Sequence, residues 1–266
     1  NKQGELKHTL AAHTESIFSL HFNCTGELLL TGSYDNSAIA WDLATGTPKH
    51  QFEVHSAQVL DVDWKDATTF ASCSTDKSIK VCSLTEEVQP IQSFLGHKDE
   101  VNAIKWDPSG NILASCSDDT TAKLWALGQP KCLHDLREHG KEIYTIRWSP
   151  TGTGSPNPNK KLVLASASFD SMVKLWDVET GACTHSLNRH DKKVYTVAFS
   201  PSGDYIASGS LGGQLYVWSV KDGSIVRSYR GGSDIFEVAW NASGNRIAAC
   251  GGASEGHAVT VIDFRM

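Results

Sequence analysis

The sequence lacks the features of a membrane protein and of a protein that binds nucleic acid over its whole surface. No apolar run approaches the length that crosses a bilayer, and no signal peptide is visible. Basic residues are not in excess, because 24 lysines and arginines stand against 30 acids and leave a net charge of −6. We therefore expect no membrane partner and no direct sequence-specific contact with nucleic acid.

The common signatures of metal sites and catalysis are also absent. The seven cysteines are scattered without a Cys-x-x-Cys pair, which favours buried free thiols in a reducing compartment over disulfides or a metal. No His-Glu-x-x-His motif and no phosphate-binding loop occur. We expect no metal, no cofactor and no catalytic residue.

One short stretch imitates a catalytic motif. Residues 252–256 read GASEG, which matches the nucleophile-elbow pattern Gly-x-Ser-x-Gly with Ser254 as the serine. That motif needs a turn from a strand into a helix, whereas this stretch lies between two predicted strands. A flexible turn is the favoured interpretation, and we expect the chain not to be an enzyme.

The sequence does contain one stretch that recurs. LASASFDSMVKLWD, residues 164–177, has counterparts at residues 29–42, 70–83, 113–126 and 206–219. A weaker sixth copy ends with Ile262 in the tryptophan place. The last large residue of the first five copies falls at Trp41, Cys82, Trp125, Trp176 and Trp218. A period of about 40 to 45 residues indicates a repeat protein.

Each repeat predicts about four short strands. A histidine precedes each of the first five copies, and an alternating segment such as VNAIKW, residues 101–106, follows it. Turn sequences such as DPSG come next, and no helical period is convincing. The longest interval contains residues 151–161, TGTGSPNPNKK, which predict an extended surface loop that is either functional or an idle insertion.

This repeat, which closes with Trp-Asp in its fullest copies, resembles the WD40 β-propeller family over nearly the whole chain. The resemblance implies an all-β propeller over residues 1–266 with six recognisable four-stranded blades. Residues 4–10 read as the outer strand of a blade, which would close six blades by pairing with the last copy after its third strand.

The family resemblance also implies a role for the turn acids. In WD40 blades the turn Asp, the repeat's His, a strand Ser or Thr and the Trp form a buried hydrogen-bonded tetrad. In the fourth copy its members would be His139, Ser166, Asp170 and Trp176. The other expected members are His13, Asp35, Trp41, His55, Asp76, His97, Asp119, Trp125, His190 and Trp218. The pattern fails at Cys82, at Gly212 and in the sixth copy, where we expect less rigid blades.

Several stretches are similar to one branch of this family. LDVDW (60–64), HDLREHGKEIYTIRWSPTG (134–152), LASASFDSMVKLWD (164–177), IFEVAWN (235–241) and VIDFRM (261–266) resemble the C-terminal part of the transducin-β-like proteins. These are WD40 subunits of nuclear-receptor corepressor complexes and include plant relatives that partner histone deacetylases. The family carries a LisH segment, an F-box-like region and an eight-bladed propeller. The resemblance therefore implies that the N-terminal regions and two blades are absent here, with residues 4–10 belonging to the second blade.

Two classes of function follow from this resemblance. The first is a nuclear, non-enzymatic scaffold and reader that binds corepressor proteins, a histone deacetylase and histone tails. The second is the substrate-recognition subunit of a ubiquitin ligase, with ligase components as partners. A Gβ-like signalling partner fits the fold but not the particular stretches, and the fold alone decides none of these.

A candidate partner-binding surface is expected at the top face of the propeller. It combines the turn residue before each tetrad acid with the residue five positions after each histidine. Its members are Phe18, Tyr34, Leu60, Asn102, Asp118, Tyr144, Phe169, Tyr195 and Phe236. With Glu100, Glu142 and Asp234 nearby, such a ring would suit a basic peptide. The alternative is that several of these rings pack inside the blade tops.

Overall fold

A computed structural model describes residues 4–86, 89–253 and 256–265. All regular structure in these residues is β-strand, and the expected all-β fold is confirmed. Within the same ranges there is no helix long and apolar enough to span a membrane.

The chain divides into two compact units. The first runs to Ile104 and includes Leu127–Lys131, and the second contains Lys105–Ala126 and the chain from Cys132 onward. The dividing line falls inside strand β9, Val101–Trp106.

The first unit contains two antiparallel sheets with strands in sequence order. The first sheet consists of β1 Ile17–Phe22, β2 Leu28–Ser33, β3 Ala38–Asp42 and β4 Thr47–Phe52. The second consists of β5 Val59–Trp64, β6 Thr69–Ser74, β7 Ser78–Ser83 and β8 Gln92–Leu95. Leu30, Phe52, Val59 and Phe70 are buried in one core cluster, with the rings of Phe52 and Phe70 4.9 Å apart.

The second unit contains three of the later sheets whole and, of a fourth, every strand except β9, of which it contains only Lys105 and Trp106. One has the order β12-β11-β10-β9 and adds β10 Leu113–Ser117, β11 Ala122–Trp125 and β12 His134–Leu136 to β9. The next has β13 Ile143–Trp148, β14 Val163–Ser168, β15 Val173–Asp177 and β16 Cys183–Leu187. The fifth has β17 Val194–Phe199, β18 Tyr205–Ser210, β19 Gln214–Ser219 and β20 Ile225–Arg230. The last has β21 Asp234–Trp240, β22 Arg246–Ala253 and β23 Gly256–Asp263.

Small residues at the second strand of each sheet allow burial on both faces. In β14 the residues Leu164 to Ser168 are all buried, and Ala165 and Ala167 join a core cluster with Val194 and Ile206 of the next sheet. Short side chains let neighbouring sheets approach closely, so their apolar faces pack into shared core clusters.

The described residues form six sheets, in agreement with the six recognised repeats. The last has three strands in the described part of the chain, as expected for a copy that stops after its third strand. The prediction of an outer strand at residues 4–10 was wrong, because this segment is not a strand. Its Lys7 Nζ instead donates to the carbonyl oxygen of Leu43 at 2.8 Å. A strand requires a backbone ladder with a neighbour, which alternation alone does not provide.

The predicted surface loop lies between β13 and β14. The amide of Asn157 donates to the carbonyl oxygens of Pro150 at 2.7 Å and Pro201 at 2.9 Å. Lys160 pairs with Asp204 at 2.6 Å. The loop is therefore tied to the turn between β17 and β18 by its own polar side chains.

Candidate protein-binding site

A hydrogen-bonded chain in the fourth sheet fixes the turn that carries Asp170. The indole Nε1 of Trp176 donates to Ser166 Oγ at 2.9 Å, and Ser166 Oγ lies 2.7 Å from His139 Nε2. His139 Nδ1 lies 2.7 Å from Asp170 Oδ2. An indole only donates and a carboxylate only accepts, so Ser166 accepts from Trp176 and Asp170 accepts from His139 Nδ1.

Asp170 also accepts hydrogen bonds from two backbone N–H groups. The N–H of Gly140 donates to Oδ2 at 3.0 Å and that of Met172 to Oδ1 at 2.9 Å. Burial alone would raise the pKa of Asp170, but the bonds from His139 and these amides hold it below its ordinary value. The carboxylate thus holds the turn to the loop that begins at His139.

In the first sheet, His13 lies 2.8 Å from Asp35 and 2.7 Å from Thr31 Oγ1, which accepts from Trp41 at 2.8 Å. The second sheet repeats this only in part. His55 lies 2.9 Å from both Asp76 and Ser72, and Cys82 is fully buried in the tryptophan place.

The third repeat shows the tryptophan bond and a further bond within its turn. Trp125 donates to Ser115 Oγ at 2.8 Å, and Asp119 accepts from the hydroxyl of Thr121 at 2.6 Å. His97 is buried in the first unit.

The fifth sheet replaces its missing acid with a hydroxyl that the sequence analysis did not identify. His190 Nδ1 lies 2.8 Å from Ser210 Oγ and Nε2 lies 2.7 Å from Ser208 Oγ, which accepts from Trp218. Burial lowers the pKa of His190 to about 4. At the adjacent turn the N–H of Gly212 donates to Asp234 Oδ1 at 2.7 Å. Asp234, expected as a peptide counter-charge, therefore also caps this turn.

Each of five first strands carries a β-bulge at its N-terminal end. The ladder register skips one residue in β1, β5, β13, β17 and β21. The skipped residues are Phe18, Leu60, Tyr144, Tyr195 and Phe236. A bulge leaves its extra residue outside the ladder and re-aims the side chain. The positions five residues after the histidines are therefore set apart by the backbone.

Four aromatic rings in the second unit pack into one cluster, which we call the aromatic platform: Tyr144, Phe169, Tyr195 and Phe236. Ring centroids are 5.6 Å apart for Tyr144 and Phe169, 4.8 Å for Tyr144 and Tyr195, 5.1 Å for Phe169 and Tyr195, and 5.6 Å for Tyr195 and Phe236. Tyr144 is 45% exposed and Phe236 46%. The rings bury one another only in part, so aromatic surface remains in contact with solvent.

Phe169 fits the turn because it does not occupy the strained position. The N–H of Ser171 donates to the carbonyl of Ser168 at 3.2 Å, and Ser171 has a φ of 70°. The left-handed conformation thus falls on Ser171, while Phe169 takes the second turn position, which accepts most residues. The backbone N–H of Phe169 donates to the carbonyl of Glu142 at 3.0 Å. This bond holds the backbone of Phe169 beside β13 and so positions its ring.

Two charged residues at the platform were not predicted. Lys193 Nζ lies 4.1 Å from the centroid of the Phe169 ring. Partial burial and the nearby Tyr195 and Glu237 raise the pKa of Tyr144. Glu237 follows the bulged Phe236, and its carboxylate accepts from Thr196 at 3.1 Å. Glu237 directly follows a bulged residue and Lys193 comes two residues before another, Tyr195, so local sequence offered no signal for either residue.

The remaining residues of the predicted partner-binding surface do not gather into one cluster. In the first unit, the rings of Phe18 and Tyr34 stack at 4.3 Å and are 54% and 41% exposed. Leu60, Asn102 and Asp118 are half-buried. The aromatic candidates thus form a pair in the first unit and a platform in the second.

Nothing in the described ranges groups histidine, cysteine or acidic side chains for metal binding. Ser254 of the GASEG stretch lies outside the described residues, and the flanking elements are strands β22 and β23 rather than a strand and a helix. The strand context that argued against a nucleophile elbow is therefore observed.

Comparison with known proteins agrees with the repeat. The model of the WD domain, G-beta repeat, matches residues 4–42, 46–83, 88–126, 130–177 and 181–219. The WD40 repeat-containing protein HOS15 of Arabidopsis thaliana is 56% identical over 99% of this chain and 42% of its own length. The F-box-like/WD repeat-containing protein TBL1X is 54% identical in Mus musculus and 53% in Homo sapiens, over 99% of this chain and 49% and 45% of those proteins.

The chain thus spans about half the length of the curated relatives it matches, or slightly less. Among solved structures, the C-terminal WD40 domain of Sif2 superposes with a TM-score of 0.86 at 23% identity, covering 100% of this chain and 74% of that one. At this identity the superposition supports the fold alone. The chain belongs to the WD40-repeat family, and its identity to TBL1X and HOS15 confirms the resemblance to the transducin-β-like proteins.

Proposed function

We propose that this chain is the non-enzymatic interaction domain of a nuclear corepressor–histone deacetylase assembly and that its aromatic platform binds a basic segment of a partner. Histone tails and basic corepressor segments are the ligands of this chemistry. The resemblance to the transducin-β-like proteins supports the assembly, and the platform supports the type of ligand.

The observation that carries the ligand proposal is the exposed cluster of Tyr144, Phe169, Tyr195 and Phe236. Aromatic residues dominate binding energy at protein interfaces because they bury large areas at low entropic cost. Their ring faces also attract ammonium and guanidinium groups. Three of the four rings stand at bulges and the fourth in a turn, so the platform is built on fixed backbone positions.

Charge favours a basic ligand over an acidic one. The net charge of the chain is −6, and Glu237 stands close enough to influence the tyrosine at the rim of the platform. A partner lysine or arginine would therefore find both a ring face and a counter-charge.

Peptide binding to single-site variants tests this proposal. A labelled histone-tail peptide is titrated with wild type, Tyr144→Ala and Phe169→Ala, with Tyr229→Ala as the matched control. Tyr229 is an exposed aromatic on the outer strand β20, so its removal deletes similar area elsewhere. We expect both platform variants to bind at least tenfold more weakly, as at an interface hot spot. Wild-type affinity in both folded variants would refute the site.

The assembly is tested separately by purifying the tagged full-length protein. Deacetylase and corepressor subunits among the co-purifying proteins support the scaffold. Cullin-ligase subunits in their place would instead support the ubiquitin-ligase function, which the F-box-like regions named in the TBL1X relatives bring into consideration.

A further inference from the structure

The ring face of Phe169 already carries a cation. Lys193 Nζ lies 4.1 Å from the ring centroid, well inside the distance at which an ammonium and an aromatic ring attract. Within the described part of the chain, no carboxylate forms an ion pair with Lys193. Among the described residues, the ring of Phe169 is therefore the partner of this ammonium.

The position of Lys193 is fixed by the fold. It directly precedes β17, and its carbonyl oxygen accepts from the N–H of Leu211 at 3.0 Å. Its Cα is thereby held at the edge of the fifth sheet, and its flexible stem needs only to reach the neighbouring turn. An ammonium tethered in this way has a high effective concentration at the ring.

The platform leaves no space for a second cation between its rings. Centroid separations of 4.8 to 5.6 Å are those of aromatic rings in mutual contact. A ligand ammonium or guanidinium must therefore lie on an outer ring face. At Phe169 that face is the one where Lys193 lies.

We propose that Lys193 is an internal competitor for the cation site of the platform. A basic side chain of the partner binds at Phe169 by displacing the Lys193 ammonium, and removal of that charge by acetylation or substitution strengthens binding. This inference rests on the proposed function, since it assumes that the platform binds basic peptides. It makes Lys193 a modification site that regulates the same surface.

The adjacent Lys192 supplies a matched control. Both lysines are exposed. Lys192, however, lies beside Gly212, because a Cβ placed on Gly212 would be 3.5 Å from the Cγ of Lys192. Replacing either lysine by glutamine changes the net charge equally, so long-range attraction for a basic peptide rises by a similar amount in both variants. Only the Lys193 variant uncovers the ring.

The experiment titrates the 266-residue chain and its variants with a labelled histone-tail peptide by fluorescence anisotropy, with thermal melts to verify folding. We expect Lys193→Gln to bind about two- to fivefold more tightly than Lys192→Gln, the range that an exposed cation–π contact produces. Lys193→Arg, which keeps a cation on the ring, should not show this gain. In a Phe169→Leu background the difference between the two glutamine variants should vanish.

The outcomes separate this inference from the proposed function. If wild type binds, Phe169→Leu binds at least tenfold more weakly, and the two glutamine variants bind equally, the platform is the site and the competition is refuted. If no variant binds the peptide, both proposals fail. If only Lys193→Gln binds measurably, the competition is supported in its strongest form.

Discussion

The Nδ1 atom of His139 lies 2.7 Å from Oδ2 of Asp170, although 31 residues separate them in the chain. This bond closes a loop that contains the whole insertion and two strands. It ends a chain of bonds that starts at the buried indole of Trp176, so the turn, the strand and the core of the sheet are held together.

Asp170→Ala should lower the free energy of unfolding by about 1–3 kcal/mol, because the buried His139 and two backbone N–H groups lose their acceptor. Thermal and urea denaturation measure the change. Asp191→Ala, at an exposed position, serves as the control. An unchanged melt for Asp170→Ala would contradict the structural role of this carboxylate.

The stability should depend on pH through His190. Burial lowers the folded pKa of His190 to about 4, whereas in the unfolded chain the group titrates near its ordinary value of 6.5. The unfolded state therefore binds the proton first as pH falls, and stability present above pH 6.5 is lost between pH 6.5 and 4, by roughly 3 kcal/mol over the window.

The measurement is the melting temperature from pH 7.5 to 4 for wild type, His190→Gln and the half-buried control His185→Gln. The slope of melting temperature against pH should flatten only in His190→Gln. Equal slopes in all three proteins would show that His190 does not titrate in this way.

Acid should act separately on Asp35. Burial opposes ionisation, but bonds from Ser37, His13 and Thr14 lower the folded pKa of Asp35 to about 2. Stability from this group is present above pH 3.8 and is lost as pH falls toward 2. Asp35→Asn should flatten the curve of melting temperature against pH in that range and leave the shape of this curve above pH 4.5 unchanged. A variant with the wild-type acid slope would contradict this linkage.

Cys82→Trp should destabilise the second sheet instead of completing its tetrad. In four other sheets the cross-strand partner of the tryptophan is a leucine or an isoleucine, namely Leu29, Leu113, Leu164 or Ile206. The cross-strand partner of Cys82 is Phe70. The larger phenylalanine compensates for the smaller cysteine, so an added indole overpacks the core and costs about 1–3 kcal/mol.

The double variant Phe70→Leu with Cys82→Trp tests this compensation. It should recover much of the loss, with a coupling free energy of about 1 kcal/mol or more in a double-mutant cycle of urea midpoints. Additive effects of the two substitutions would show that the residues do not share one packing volume.

The sequence by itself determined the repeat and its strands. A period of about 40 to 45 residues, alternating segments and turn residues are local signals, and each reports the conformation of the few residues that carry it. The spacing of His139, Ser166, Asp170 and Trp176 is fixed along the chain by the strands, so the family pattern could name them before any contact was known.

The tertiary structure decided which side chains meet. Residues 4–10 alternate like a strand but form none, because pairing depends on a neighbour elsewhere in the chain. Ser210 replaces the missing acid beside His190, and Lys193 lies on Phe169 from the adjacent sheet. These are contacts between segments that a repeat pattern treats separately, and they depend on bulges and side-chain directions that local sequence does not encode.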